Sequence, residues 1–561
     1  MARISSSTSI IQPHYEIVVV GSGYGGGIAA SRLSRAHRQV CVLERGKEIR
    51  PGEYPANDIS AAEQLQVDLP DEHLGSATGL YDVRVNDNIN VFLGCGLGGT
   101  SLVNANVSLR AEPRVFDDTR WPKGLRDDLS TLIEEGYRHA EDMLKPKPYP
   151  DSYPSLHKLE ALETSAGFMK QEFYRAPINV TFENFPNNLN HVGEEQHECT
   201  GCGDCMTGCN VGAKNSVLMN YLPDAKRHGA DIFTEISVRY VERQDDQWVL
   251  HCQSKDSESG QSTIMVRADM VILAAGTLGS TEILLRSAAQ GLSLSDHLGQ
   301  NFTGNGDVLA FAYNTNREIN GVGLGKALTA GREVGPCITG VIDIRNQAAL
   351  DDGIVIEEGA ASSLLALFLP AALSAASGLV GKNTESGFLS VFREKAREIV
   401  SFIFGAYKGA VHNTQIYLAM THDDGAGRLY LDNDRVRIDW PRAGSEKIFQ
   451  KVQDRLLEST EPLGGIYVRN PLWSKMFKDN LTTVHPLGGC PMAEDAEHGV
   501  VNHKGQVFSG TRGTDVYEGL YVSDGSVIPL PLGVNPLLTI SAVAERCCYL
   551  LANDRGWKID Y

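Results

Sequence analysis

The sequence predicts an α/β protein in which a parallel sheet, built from separated segments of the chain, carries an inserted α+β region on an antiparallel sheet. Residues 15–46 indicate a strand, a glycine-rich turn, a helix and a second strand, and residues 270–286 repeat the order of strand, glycine and helix. Residues 300–474 contain short alternating runs, such as GVIDIR and RLYLDNDRVRIDW, which are typical of antiparallel strands. At 561 residues the chain is too long for one core.

The first segment carries a G-x-G-x-x-G pattern directly after the apolar run of residues 17–20. Gly21 permits a tight turn, Gly23 lets the backbone approach a pyrophosphate, and Gly26 lets the helix pack closely on the strand. Glu44 ends the second strand at the distance where a carboxylate binds an adenosine ribose. A bare structural turn is the alternative. The complete order of strand, glycines, helix, strand and acid favours a Rossmann-like dinucleotide site.

Composition excludes some partners. The net charge of −19 argues against nucleic acid, which requires a basic face. Residues 1–14 lack an apolar core of signal-peptide length, and we expect no spanning helix. Without a visible export signal, the eleven cysteines favour a reduced compartment over a disulfide framework. We therefore expect a cytoplasmic protein, with peripheral contact to a membrane as an open alternative.

A second glycine-dense stretch, VFLGCGLGGTSLVNANVSLR, occupies residues 91–110 after a loop-rich region at residues 47–90. Gly98 and Gly99 remove side chains where backbone must lie against a flat or charged group. A flexible loop is the alternative, although the ordered run that follows disfavours it. Gly276 begins the turn after the strand at residues 270–273, which we expect to share the first sheet.

Four cysteines, Cys199, Cys202, Cys205 and Cys209, have the spacing C-x2-C-x2-C-x3-C. This is the spacing of bacterial ferredoxin runs and predicts an iron–sulfur cluster, [4Fe-4S] or [3Fe-4S], with Cys209 or a remote cysteine completing the ligands. Zinc is a weaker alternative because its sites usually pair two separated knuckles. A glycine-rich loop with no metal is the third reading.

The inserted region contains the apolar stretch AASSLLALFLPAALSAASGLV at residues 360–380, interrupted by serines and Pro370. We expect a lid or a surface helix here rather than a membrane span. The following run at residues 392–410 has the spacing of an amphipathic surface helix.

The C-terminal part returns to glycines and isolated polar residues. His485 stands beside glycines in VHPLGGCPM, and Asp524 and Gly525 close a strand. A proline-rich turn then carries Asn535 before a helix of small residues. An isolated histidine is usually structural, but the shaped backbone beside His485 makes it a candidate functional residue.

The ordered phrases GSGYGGG, LGGTSLVN, ILAAGTLGSTEILL, HPLGGC and SDGSVIPLPLGVNPLLTI resemble the glucose–methanol–choline oxidoreductase family, and its bacterial cholesterol-oxidase branch in particular. The resemblance implies a discontinuous Rossmann-like FAD-binding domain, residues 1–115, 196–300 and 475–561. It further implies a substrate-binding domain, residues 116–195 and 301–474, built on an antiparallel sheet.

By the same resemblance His485 and Asn535 match the catalytic pair, and Asn104 matches a polar residue beside the flavin. Gly98 and Gly99 match the loop under the pyrophosphate and ring, and Glu44 matches the ribose-binding acid. The remaining positions expected at the cofactor are Gly21, Gly23, Gly26, Gly276, Asp524 and Gly525.

The implied reaction is FAD-dependent oxidation of a bulky apolar alcohol, with a 3β-hydroxysteroid as one candidate. Hydride goes to flavin N5, and a neutral His485 takes the hydroxyl proton. Long-chain or terpenoid alcohols, or a flavin and iron–sulfur electron-transfer subunit, are alternatives. The acceptor is a quinone, a cytochrome or another redox protein reached through the cluster, or else oxygen. Glu357 and Glu358 are candidates for a steroid-isomerising acid, but no motif selects either.

Overall fold

The parallel sheet forms around the strand His14–Val20, which is buried on both faces as its β-branched run requires. In this computed structural model the described residues are 2–256, 260–325, 333–385, 388–474 and 479–561. From edge to edge the sheet contains the strands Gln506–Phe508, Val516–Val522, Gly260–Leu273, His14–Val20, Val40–Leu43 and Asp231–Phe233. Segments from the start, middle and end of the chain thus share one sheet, which confirms the predicted discontinuous organisation.

Among the described strands of this sheet, the edge strand Gln506–Phe508 and a hairpin are the ones that run antiparallel. The hairpin strands are Ile236–Gln244 and Gln247–Asp256, the second of which pairs with Gly260–Leu273. The four other neighbouring pairs along the sheet are parallel, so the carboxyl ends of these strands meet at one edge. That edge is where ligands bind in such sheets.

Helices surround the parallel sheet. The helix Tyr24–Arg35 lies on its central strands and contacts both Tyr221–Arg227 and Leu537–Arg555. Arg32 and Glu545 form a buried ion pair with an N–O distance of 2.7 Å between these helices. The other helices of this part are Asp58–Glu63, Lys123–Arg126, Leu129–Thr131, the π-helix Leu132–Tyr137, Arg138–Leu144 and Gly276–Ala289.

The second large sheet has seven strands and is antiparallel throughout. In order these are Gly381–Asn383, Ile466–Arg469, Val308–Tyr313, Gln415–Thr421, Ile354–Gly359, Gly340–Asp343 and Glu172–Arg175. The helices His157–Met169 and Lys447–Thr460 pack on one face. The antiparallel sheet predicted within residues 300–474 is therefore confirmed, with one edge strand contributed by the earlier segment Glu172–Arg175.

A five-stranded sheet occupies much of the region that the sequence indicated as loop-rich. Its strands, in order, are Leu481–Thr483, Ile89–Gly94, Tyr81–Arg84, Leu65–Asp68 and His73–Gly75. These strands are short and carry many polar residues, so they lack the apolar alternation that predicts a strand. The strand Leu481–Thr483 ends two residues before His485, and its Thr483 hydroxyl accepts from the His485 amide at 2.9 Å.

Two further helices, Leu369–Val380 and Phe388–Phe404, pack against each other beside the seven-stranded sheet. A separate hairpin consists of Arg428–Asp432 and Arg435–Asp439. Within the described ranges, no helix has the length and apolar character needed to cross a bilayer.

Candidate active site

The glycine turn after the strand His14–Val20 shows a separate reason for each of its three glycines. Gly21 has φ +93°, and a Cβ there would lie 2.4 Å from the Ala274 carbonyl oxygen. At Gly26 a Cβ would lie 2.1 Å from the Gly21 carbonyl oxygen, so close packing requires this glycine. At Gly23 a Cβ would meet no atom of the described residues within 4 Å. The chain itself thus leaves space at Gly23, as the predicted approach of a pyrophosphate requires.

The helix Tyr24–Arg35 begins at Gly23, where no side chain caps its first amide groups. The N–H groups of a first helical turn have no partner within the helix, and the helix dipole is positive at this end. This arrangement binds phosphate in other proteins. It fits the diphosphate of a dinucleotide.

A cavity of about 1400 Å³ extends from the glycine turn to the C-terminal polar residues. Glu44 lines it together with Gly23, and both His485 and Asn535 also face it. Leu309, Ile416 and other residues of the seven-stranded sheet supply an apolar wall. Ordinary ligand pockets measure roughly 300–1,000 Å³, so this cavity has room for a cofactor and an apolar substrate together.

Glu44 is held at the end of its strand by hydrogen bonds from this chain. Its carboxylate accepts from the Ser22 amide at 3.1 Å, the Ser22 hydroxyl at 2.6 Å and the Gly46 amide at 2.7 Å. Burial raises the pKa of Glu44, and these donors oppose that shift. The predicted ribose-binding acid is thus positioned at the cavity wall.

The second glycine loop lies directly beside the first. Gly98 and Gly99 have φ values of +117° and +57°, and a Cβ on Gly99 would lie 2.9 Å from the Gly23 Cα. Asn104 donates from Nδ2 to the Tyr24 hydroxyl at 2.8 Å, whereas its buried Oδ1 has no partner among the described residues. The structure therefore brings these predicted residues together, with one amide oxygen left for a ligand.

Asp524 joins the turn after Gly260–Leu273 to the C-terminal strand. Its carboxylate accepts from the Gly276 amide at 2.9 Å and from the Ser526 amide at 2.8 Å. Burial raises the pKa of Asp524. Gly276, Asp524 and Gly525 all line the cavity, and a Cβ on Gly276 would meet none of the described atoms within 4 Å.

His485 is held by Asp307, a residue that the sequence analysis did not identify. The Nδ1 atom of His485 lies 2.8 Å from Oδ1 of Asp307. The other carboxylate oxygen, Oδ2, accepts from the Thr483 hydroxyl at 2.8 Å and the Val484 amide at 2.9 Å. A carboxylate at Nδ1 selects the tautomer that donates from Nδ1, so Nε2 carries a lone pair. His485 can therefore accept a proton at Nε2.

Asn535 lies against Glu357 on the seven-stranded sheet. Its Nδ2 donates to Glu357 Oε2 at 3.2 Å, while Asn535 Oδ1 and Glu357 Oε1 are buried without partners among the described residues. Burial raises the pKa of Glu357 to about 8, so this side chain is largely protonated at pH 7. Glu358 instead accepts from Lys158 at 2.9 Å. Of the two candidate acids, Glu357 is the one that hydrogen-bonds to Asn535.

The four cysteines of the C-x2-C-x2-C-x3-C run line one cavity of about 20 Å³. Burial raises the pKa of the Cys199 and Cys205 thiols, and raises that of Cys202 to about 12. In the parts of the chain described, no group of three or more His, Cys, Asp or Glu side chains is placed to hold a metal ion. The residues do not fit a cluster in this arrangement, and the iron–sulfur prediction lacks support.

Comparison with known proteins identifies the class. The GMC oxidoreductase family matches in two parts, at residues 24–305 and 434–544. This chain belongs to the GMC oxidoreductase family and is an FAD-dependent enzyme that oxidises alcohols. The predicted family and its cofactor are thereby confirmed.

Among curated relatives, a cholesterol oxidase of Mycobacterium tuberculosis is 26% identical over 97% of this chain and 92% of its own length. A long-chain-alcohol oxidase of Arabidopsis thaliana is 24% identical over 94% of this chain and 66% of its own. The crystal structure of pyridoxine 4-oxidase from Mesorbium loti has a TM-score of 0.59 at 17% identity, covering 96% of this chain and 99% of that one. This structural likeness shows the fold alone.

Proposed function

We propose that this enzyme oxidises bulky apolar alcohols to ketones or aldehydes, with His485 as the proton acceptor. The observation that carries the proposal is the contact between His485 and Asp307 at the end of an apolar-walled cavity. FAD, when bound along the two glycine loops, supplies the acceptor for the hydride of the alcohol carbon. Residues Gly23, Gly99 and Glu44 would hold it.

The chain's own residues handle the hydroxyl proton. His485 Nε2 takes this proton while Asp307 fixes the ring and stabilises the positive charge that develops on it. Asn535 can position the substrate, because its Nδ2 carries two hydrogens: one is donated to Glu357, and the other can be donated to the substrate oxygen. Loss of one proton and one hydride converts the alcohol into its carbonyl product.

Two substrate classes have specific support. The cavity wall formed by Leu309 and Ile416 suits a long or polycyclic apolar body. The relatives named cholesterol oxidase and long-chain-alcohol oxidase support the 3β-hydroxysteroids and the long-chain alcohols respectively. Their names as oxidases also support oxygen as the acceptor, rather than a quinone, a cytochrome or another redox protein.

The test is an alcohol panel assayed with oxygen and with an artificial dye as acceptors. We expect turnover of a 3β-hydroxysteroid or a long-chain alcohol, peroxide formation with oxygen, and little turnover of small polar alcohols. Absence of turnover with every apolar alcohol under both acceptors would contradict the proposal.

A second activity, isomerisation of an unsaturated steroid ketone, is favoured by the contact between Glu357 and Asn535. A buried carboxyl group can move a proton between carbons of the bound product once it ionises. Because the pKa of Glu357 is about 8, we expect this activity to rise with pH up to that value. Glu357→Gln should leave the unconjugated ketone as the product; unchanged conjugated product from that variant would exclude Glu357.

A further inference from the structure

The surface beside the cavity exposes an unusual concentration of large apolar side chains. We call this surface the apolar face, and it comprises Leu365, Leu367, Phe368, Leu379, Phe392, Ile399, Phe402, Ile403, Phe404 and Tyr407. It belongs to the helices Leu369–Val380 and Phe388–Phe404 and the turns beside them. We propose that the apolar face docks this enzyme on the surface of a lipid bilayer that contains anionic lipids.

The helix Phe388–Phe404 has its polarity reversed relative to an ordinary surface helix. Glu394 and Glu398 are only 5% and 6% exposed and point inward, whereas Phe392 and Ile403 are each 67% exposed. The inward glutamates have partners, since Asn383 donates to Glu394 at 3.1 Å and Lys395 donates to Glu398 at 2.6 Å. Exposure of large apolar side chains to water is unfavourable. A helix that lies in a membrane interface, in contrast, directs its apolar face outward into the lipid.

Charge distinguishes an anionic lipid surface from other occupants. Between residues 363 and 408, every exposed side chain among those described that is charged at neutral pH is basic: Lys382, Arg393, Lys395 and Lys408. The whole chain carries a net charge of −19, so this basic fringe is local. Basic residues beside an apolar face attract anionic headgroups. A second copy of the chain would instead bring like charges together across a two-fold interface.

The apolar face adjoins the cavity through one strand. In Val308–Tyr313, Leu309 lines the cavity, while Phe311 and Tyr313 on the same side belong to the cluster that includes Leu373 of the neighbouring helix. Ala360 also lines the cavity, just before the chain enters the apolar face. An apolar alcohol that leaves the lipid would therefore enter the protein close to the cavity, a consequence that rests on the proposed function. The proposed docking on the bilayer does not depend on the proposed function.

The experiment is co-sedimentation of the FAD-loaded enzyme with vesicles of phosphatidylcholine, with or without phosphatidylglycerol. We expect binding to the mixed vesicles and about ten-fold weaker binding for the triple variant Phe368→Ser, Phe402→Ser, Ile403→Ser. The matched control, Ile59→Ser with Met265→Ser, removes side chains that are 77% and 63% exposed elsewhere and should bind like the wild type.

Charge is tested separately with Arg393→Gln and Lys408→Gln. Each should weaken binding to phosphatidylglycerol vesicles about five-fold and leave binding to phosphatidylcholine alone unchanged. Failure of the wild type to sediment with mixed vesicles, or equal losses in the triple variant and its control, would overturn the proposal. A dimer in size-exclusion chromatography that the triple variant dissociates would also overturn it, since a second copy would then cover the face.

Turnover separates this proposal from the proposed function. The triple variant should oxidise a detergent-dispersed alcohol at the wild-type rate, because its substitutions lie outside the residues that line the cavity. A wild type that binds vesicles but oxidises no alcohol would contradict only the proposed function.

Discussion

Asp307 Oδ1 lies 2.8 Å from His485 Nδ1, and the second oxygen of the same carboxylate is occupied by the Thr483 hydroxyl and the Val484 amide. The orientation of the carboxylate is therefore held by contacts other than the one with the histidine ring. Because this carboxylate can only accept, His485 carries its hydrogen on Nδ1 and donates it to Asp307. The Nε2 atom then has a free lone pair and can accept a proton.

Asp307→Asn should invert that tautomer. Only the amide oxygen can accept from the Val484 amide, so the new NH2 group must face Nδ1 and donate to it. His485 then carries its proton on Nε2 and cannot take another from the substrate. We expect kcat to fall about 10²-fold or more with FAD content unchanged, measured by steady-state kinetics and flavin absorbance. Near-normal kcat would show that Asp307 has no positioning role.

Gly23→Val should fold but lose FAD. Gly23 has φ −67°, which any residue adopts, and a Cβ there meets no atom of the described residues within 4 Å. The Cβ atom therefore has space among the described residues, and the valine side chain would occupy the room that the predicted diphosphate needs. Circular dichroism should match the wild type while flavin absorbance at about 450 nm is lost.

Gly26→Val is the contrasting control for that substitution. Its Cβ would lie 2.1 Å from the Gly21 carbonyl oxygen, so we expect loss of the fold itself. Retention of stoichiometric FAD by Gly23→Val would place the diphosphate elsewhere.

Glu357→Gln should make stability less sensitive to pH. The pKa of this carboxyl is 4.5 without the fold and about 8 in the folded protein. Between these values the folded state binds more protons, so the free energy of unfolding of the wild type decreases as pH rises. Each unit of difference between the folded and unfolded pKa corresponds to about 1.4 kcal/mol in the free energy of unfolding. We therefore expect the melting temperature of the variant minus that of the wild type to be larger at pH 8 than at pH 5.

Glu358→Gln is a contrasting variant rather than a pH-independent reference, because burial raises the pKa of Glu358 as well. It leaves the buried Lys158 ammonium without its carboxylate and should lower the melting temperature at both pH values. A difference between Glu357→Gln and the wild type that is the same at pH 5 and pH 8 would contradict the raised pKa.

The sequence predicted those parts of the site whose signal is local. The glycines at Gly21, Gly23 and Gly26 follow a strand directly, and each has a steric consequence that its own neighbours determine. His485 and Asn535 stand in short phrases that resemble a known family. The parallel strands were predictable because a continuous apolar run is typical of a strand buried on both faces.

Non-local contacts were beyond the sequence. Asp307 lies 178 positions from His485, and nothing near it in the chain marks it as a partner. Glu357 and Glu358 are adjacent, and only the alternation of a strand shows that one contacts Asn535 while the other contacts Lys158. The cysteine spacing predicted a cluster, but spacing alone does not determine thiol burial or geometry.

The central claim is that His485 accepts the hydroxyl proton, and anaerobic stopped-flow reduction of the flavin by an alcohol substrate tests it most directly. His485→Gln loaded with FAD should bind the alcohol and show flavin reduction slowed by about 10²–10⁴-fold, as expected for a lost general base. Reduction within a few-fold of the wild-type rate would contradict the claim and remove His485 from the reaction.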